Sequence, residues 1–196
     1  MENKCRGIQK KMYGETQKKK HSEFQWRIII SGISSALLLA LYCIIFSFSD
    51  QDSEQSGSLS LMLSEKCVEF LNALTGKNWS EVFMEGLAVY FEHPIRKIAH
   101  FAEYAVMGIL MYGVLRPWIR RGKKLYFVIG VWLFLSAASD EIHQLFVPGR
   151  YGSFWDVLLD LSGGLVGMFC LVWAEMLRRR MFLKSRQKHE NTSKYV

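Results

Sequence analysis

Cysteine is scarce in this chain and badly spaced for chemistry. Cys5, Cys43, Cys67 and Cys170 form no CxxC pair and share no ligand spacing with histidine, which argues against a disulfide framework and a structural zinc site. Two of them lie inside apolar runs, only Cys67 is expected to face an oxidising exterior, and they read as small hydrophobes. No finger spacing and no aromatic-basic groove accompanies the net charge of +7, so a nucleic-acid partner is not expected. Charge itself is missing from long stretches. Ile28 to Phe48 carries none, and about twenty such residues cross a bilayer's hydrocarbon at ~1.5 Å per residue. A cleaved signal peptide would have a shorter apolar run and a small-residue cleavage site after it. This segment reads as an anchor that stays.

What is present is apolar and aromatic. Half of the 196 residues are hydrophobic and 14% are aromatic, and they are gathered into runs rather than spread at a helical or strand period. That is the pattern a bilayer solvent imposes. Further spans are predicted over about 98–115, 125–147 and 154–177, with Pro148-Gly149 as a turn before the last. Lys and Arg flank these runs. The segments 1–27, 116–124 and 178–196 hold 8, 5 and 7 of them, which is 20 of the chain's 25. The positive-inside rule then places both ends and the middle loop in the cytoplasm.

The expected fold is therefore all-α, a polytopic membrane bundle of four transmembrane helices. Residues 1–27 read as a basic cytoplasmic tail without a fold, 28–177 as the membrane domain, and 178–196 as a second basic cytoplasmic tail. Within the domain, 49–97 reads as an acidic extracytoplasmic loop. Two stretches in it are amphipathic at helical spacing, one through Leu59, Met62, Leu63, Phe70 and Leu74, the other through Val82, Phe83, Leu87, Tyr90 and Phe91. Both are too short and too polar to span, and read as helices lying in the outer interface or as a small cap over the bundle.

Ionisable residues in a span are expensive, roughly 2.5 to 3.5 kcal/mol each at mid-bilayer, and here they are not scattered. Arg96, Lys97, His100, Glu103 and Tyr104 open the second span. Asp140, Glu141, His143 and Gln144 close the third, Arg150 sits in the turn, and Asp156 and Asp160 open the fourth. All of them fall toward the outer face, and the inner halves hold no comparable group except Glu175. His100, Glu103 and Tyr104 share one helix face, as do Asp140, His143 and Gln144, and Asp156 and Asp160. Three polar stripes at one depth would enclose a wet pocket. Guanidinium and ammonium groups there suit an anionic headgroup. His and carboxylates suit acid/base work or a divalent metal.

Each residue also has a plain structural role open to it. Arg96 and Lys97 could snorkel to the interface, and His100 with Glu103 could simply tie helices together. Glu141 lies off the Asp140/Gln144 face, where exposure to solvent is expected. Asp156 could be an ordinary charge at a helix start. Ser162, Gly163, Gly164 and Gly167, with Gly108, form small-residue stripes suited to close helix packing.

Four stretches carry a resemblance to the VanZ-like family. They are Phe46-Ser-Phe-Ser-Asp50-Gln51, Arg96-Lys-Ile-Ala-His100-Phe-Ala-Glu103-Tyr104, Ser139-Asp140-Glu141-Ile-His143-Gln144-Leu-Phe-Val-Pro-Gly-Arg150, and Asp156-Val-Leu-Leu-Asp160-Leu-Ser-Gly-Gly164. The chain departs from the family at Asp50, where a second Ser is common. At Asp160 the family varies between Asp and Asn. The resemblance implies a multi-pass protein of the bacterial plasma membrane and cell envelope, linked to reduced susceptibility to teicoplanin-type glycopeptides. It supplies no reaction.

The function expected from residues and resemblance together is a pocket at the outer leaflet that binds, or binds and modifies, an anionic lipid or lipid-linked peptidoglycan precursor. His100, Glu103, Asp140 and His143 are the candidates for chemistry. Arg96, Lys97, Tyr104, Glu141, Gln144, Arg150, Asp156 and Asp160 are the candidates for binding. Membrane lipids, a lipid-linked wall precursor or a lipoglycopeptide are the expected partners. A non-catalytic scaffold and an oligomeric proton-coupled transporter are the rival readings. Cofactor, metal, homo-oligomerisation and enzymatic status are left open by the sequence.

Overall fold

In the computed structural model, the backbone is described for residues 2–50 and 53–193, and side chains for 16–18, 20–50 and 57–187. Five helices follow one another: α1 (Glu2–Ser49), α2 (Ser53–Thr75), α3 (Glu81–Leu115), α4 (Lys123–Gln144) and α5 (Phe154–Ser193). The described residues contain no strand. Thr16–Ser49, Glu81–Leu115, Lys123–Gln144 and Phe154–Gln187 are each long and apolar enough to cross a membrane, so the chain is a four-span helical membrane protein.

Two expectations are corrected. The segment 1–27, read as having no fold, is helical from Glu2 onward, and the carboxyl-terminal tail is helical through Ser193. Both are rich in Lys, Arg, Glu and Gln, which propagate a helix readily once a span has nucleated it. The second amphipathic stretch is not a separate helix either. It forms the first half of α3, which runs unbroken through Pro94 into the span. An interior proline costs a helix a backbone hydrogen bond, but α2 lies along this half and supports it. Val68 and Ala88 are buried there, and Ser64 Oγ donates to the Ala88 carbonyl across 2.6 Å. The turn between the two helices uses Gly76 and Asn78 at positive φ. Ser80 caps α3 by accepting from the Phe83 amide.

The spans close around Tyr104, Met107, Met111, Ile129, Leu133 and Met168, all buried. Ile33, Leu39, Phe127, Leu135, Val166 and Trp173 point outward and stay exposed. Water would penalise so broad an apolar exterior, and hydrocarbon does not.

The closest helix pair is α3 with α5, and its glycines explain the approach. A Cβ added at Gly163 would overlap the Phe101 carbonyl oxygen. At Gly167 it would overlap the Ala105 carbonyl, and at Gly108 the Gly164 carbonyl. Only hydrogens fit between these backbones, as the small-residue stripes predict. At the basic end of the bundle, the chain after α3 is tied back by three side chains. Arg27 donates to the Pro117 carbonyl, Trp118 Nε1 to Ser31 Oγ at 3.0 Å, and Arg121 to the Val172 carbonyl at 3.0 Å. Glu175 lies beside Tyr112 and Arg121 in the same region.

Candidate functional site

The opposite end of the bundle gathers the polar residues. The glycine crossing draws the start of α5 against the middle of α3, which sets Asp156 and Asp160 beside Lys97 and His100. The short connection 145–153, with Gly149 at φ +75°, returns the end of α4 to the same place. Its geometry is held by Glu141, whose Oε2 accepts from the Ser153 amide at 2.7 Å. Glu141 is only 8% exposed, which corrects the expectation of a solvent-facing side chain. The tight return of the chain after α4, rather than helix periodicity, decides its environment.

These elements enclose a polar cavity of about 270 Å³, lined by Arg96, Lys97, His100, Glu141, Gln144, Arg150, Asp156 and Asp160 among others. Eight of the twelve candidate residues thus share one wall. Lys97 Nζ donates to Asp156 Oδ1 at 2.7 Å, joining α3 to α5 in the cavity wall. Arg96 is paired with Glu92 one turn back, and Glu92 in turn accepts from Ser60 of α2 at 2.6 Å. Arg150 donates to the Phe48 carbonyl at 3.1 Å, so the turn is tied to the end of α1.

A second cavity, of about 320 Å³, adjoins the first and is largely apolar. Phe48, Leu59, Met62, Leu63, Ile95 and Ala99 form most of it. Arg96, His100 and Arg150 line both spaces. A third pocket on the α1/α4 side is lined by Tyr42, Tyr104, Ser136, Ser139 and Asp140. There Trp132 Nε1 donates to Tyr42 Oη at 2.8 Å, and Tyr42 Oη lies 2.5 Å from Ser136 Oγ.

Where these spaces meet, His100 of α3, Asp140 of α4 and Asp160 of α5 each bring one ligand-capable atom within 4.8 Å of the others. Asp140 is 4% exposed and Asp160 1%. Gln144 donates to Asp140 Oδ2 at 3.1 Å. Asp140 Oδ1, Asp160 Oδ1 and His100 Nδ1 are buried without a hydrogen-bond partner among the described residues. Glu103 lies on the same side, its Oε2 3.6 Å from His100 Nδ1.

The remaining candidates are placed apart. His143 does not line the polar cavity. Its Nε2 stands 3.8 Å from Asp50 Oδ1, and its ring packs on Phe46 at 5.2 Å. Tyr104 is buried outside the polar cavity and lines the third pocket with Asp140. The sequence reading missed His93, which lines the polar cavity, and the Glu92–Ser60 contact. Three and seven residues before Arg96 and His100, His93 shares their helix face. Extending the register of the second span back through Pro94 would have found it.

No curated protein and no solved structure matches the chain. The family model described as VanZ/LLP1 matches residues 35–176, a stretch that runs from the first span through the glycine crossing and contains every residue of the polar cavity. The chain belongs to the VanZ/LLP1 family.

Proposed function

We propose that this protein binds an anionic amphiphile of the bacterial cell envelope, with the headgroup in the polar cavity and the hydrocarbon tail in the adjoining apolar one. A polyprenyl-linked peptidoglycan precursor fits that description. The observation that carries the reading is the shared wall: Arg96, His100 and Arg150 face both spaces, so charge and grease meet along one line as they do in such a lipid. Guanidinium groups suit phosphate or carboxylate. Charge asymmetry supports the leaflet. Twenty of 25 Lys and Arg flank the spans at the other end, which by the positive-inside rule puts the termini in the cytoplasm and the cavity in the outer leaflet of the plasma membrane. Lipoglycopeptides of the teicoplanin type act on wall precursors at that leaflet, and the implied role in reduced susceptibility follows from sequestering or altering such a lipid.

A catalytic version of this reading is favoured by one observation, the placement of His100 between the two cavities with Glu103 and Asp140 beside it. His100 would move the proton, and Glu103 would orient the ring. His143, set against Phe46 and Asp50, takes no part in this version. Met107, Ile129, Leu133 and Met168 fill the bundle with buried apolar side chains, so a transporter reading would need a pathway between copies of the chain.

The test is incubation of the purified protein with a lipid extract from its host, followed by mass spectrometry of what is retained or changed. The reading expects an anionic envelope lipid held by the wild type and lost from an Arg96→Gln/Arg150→Gln variant. A wild type that neither holds nor alters any envelope lipid overturns it.

A further inference from the structure

His100, Asp140 and Asp160 form a constellation that the amphiphile reading does not require. They come from three different helices, yet one ligand-capable atom of each lies within 4.8 Å of the other two. Two are carboxylates almost fully removed from solvent. Buried carboxylates at this separation repel one another unless a cation or a proton stands between them. Of the bases that line the polar cavity, Arg96 pairs with Glu92, Lys97 pairs with Asp156, and Arg150 donates to the Phe48 carbonyl. Asp140 Oδ1, Asp160 Oδ1 and His100 Nδ1 remain without a hydrogen-bond partner among the described residues. Buried polar atoms are nearly always satisfied. Two buried carboxylate oxygens without a hydrogen-bond partner, on side chains that three packed helices bring together with His100, call for a positive centre between them.

The geometry points to a divalent metal site at His100, Asp140 and Asp160. One imidazole and two carboxylate oxygens are a borderline donor set, suited to Zn²⁺ or Mn²⁺. Mg²⁺ and Ca²⁺ prefer oxygen ligands throughout. Gln144 supplies the outer support such a site needs, since its Nε2 holds Asp140 Oδ2 and leaves the other oxygen for the ion. His100 and Asp160 also line the polar cavity, so the ion's open position faces that space, where a water or an anionic oxygen would complete it. The ion site stands on its own residues, and it takes the place of the catalytic version in which His100 moves the proton, because a ring nitrogen bound to the ion has no lone pair left for one. Only the assignment of its open position to a headgroup oxygen rests on the amphiphile reading.

The experiment uses the full-length chain purified in detergent, stripped with chelator, and titrated with Zn²⁺ alone or Mn²⁺ alone with no lipid added. Bound metal is counted by elemental mass spectrometry. The expected result is about one equivalent per chain, with affinity lowered at least about tenfold in Asp140→Asn/Asp160→Asn. Glu175→Gln, a carboxylate on α5 at the other end of the bundle, should bind as the wild type does. X-ray absorption of the zinc-loaded wild type should show one imidazole among oxygen scatterers, a readout that stands even if the double variant fails to fold. A wild type that keeps less than about a tenth of an equivalent of either ion overturns the site and leaves a shared proton as the occupant. So does a double variant with undiminished affinity, or a zinc spectrum without imidazole. Metal binding without lipid retention would leave this site standing and remove the amphiphile reading. Lipid retention by a chain that binds no metal would do the reverse.

Discussion

Lys97 Nζ on α3 lies 2.7 Å from Asp156 Oδ1 on α5, an ion pair in the wall of the polar cavity between residues 59 positions apart. Both side chains are partly exposed, so solvent screens the pair, and its value is about 1 kcal/mol or less. A double-mutant cycle with Lys97→Met and Asp156→Asn, read by thermal unfolding in detergent, should give a coupling energy of about 0.5–1 kcal/mol. Strict additivity of the two changes would show that the pair does not clamp the helices.

Glu141 is expected to hold the connection between α4 and α5. Glu141→Ala leaves the Ser153 amide without its acceptor and should cost about 1–3 kcal/mol. Glu141→Gln keeps a carbonyl oxygen in place and should restore most of that loss. Hydrogen exchange at Ser153 reports the contact directly: fast in the alanine variant, slow in the glutamine one. Equal exchange in all three proteins would refute the role.

The α3/α5 crossing leaves no room for a side chain. Gly167→Val would drive a branched side chain into the Ala105 carbonyl, and overpacking of this kind costs about 1–3 kcal/mol or more. Gly32 has open space around it, so Gly32→Ala should be neutral or slightly stabilising by helix propensity. Thermal unfolding separates the two. A Gly167→Val protein as stable as the wild type would mean that the helices are not in backbone contact.

Orientation can be read with a native thiol. Cys67 is exposed on α2, the helix that leans on the site end of the bundle. In a chain whose other cysteines are serine, a membrane-impermeant maleimide added to intact cells should label Cys67. Labelling that appears only after permeabilisation would put the polar cavity on the cytoplasmic leaflet.

The spans and the clustering of polar residues were legible because both are one-dimensional signals. Apolar runs declare the spans. The i, i+3, i+4 spacing of His100, Glu103 and Tyr104 is by itself enough to put them on one helix face. What the sequence could not show was set by chain reversal. The burial of Glu141 depends on how residues 145–153 fold back. His143 shares a helix face with Asp140, yet it turns to Phe46 and Asp50 because α1 ends beside it. The unbroken passage of α3 through Pro94 depends on the support of α2, a contact between segments whose pairing no periodicity encodes.

The most direct test places a photoreactive benzoylphenylalanine at Leu63, which lines the apolar cavity. A second is placed at Val131, on the exposed face of α4. After irradiation of living cells, the lipid adduct at each position is identified by mass spectrometry. Leu63 should capture an anionic amphiphile strongly enriched over its share of the membrane, while Val131 should capture bulk phospholipid. The same bulk mixture at both positions would contradict the amphiphile reading.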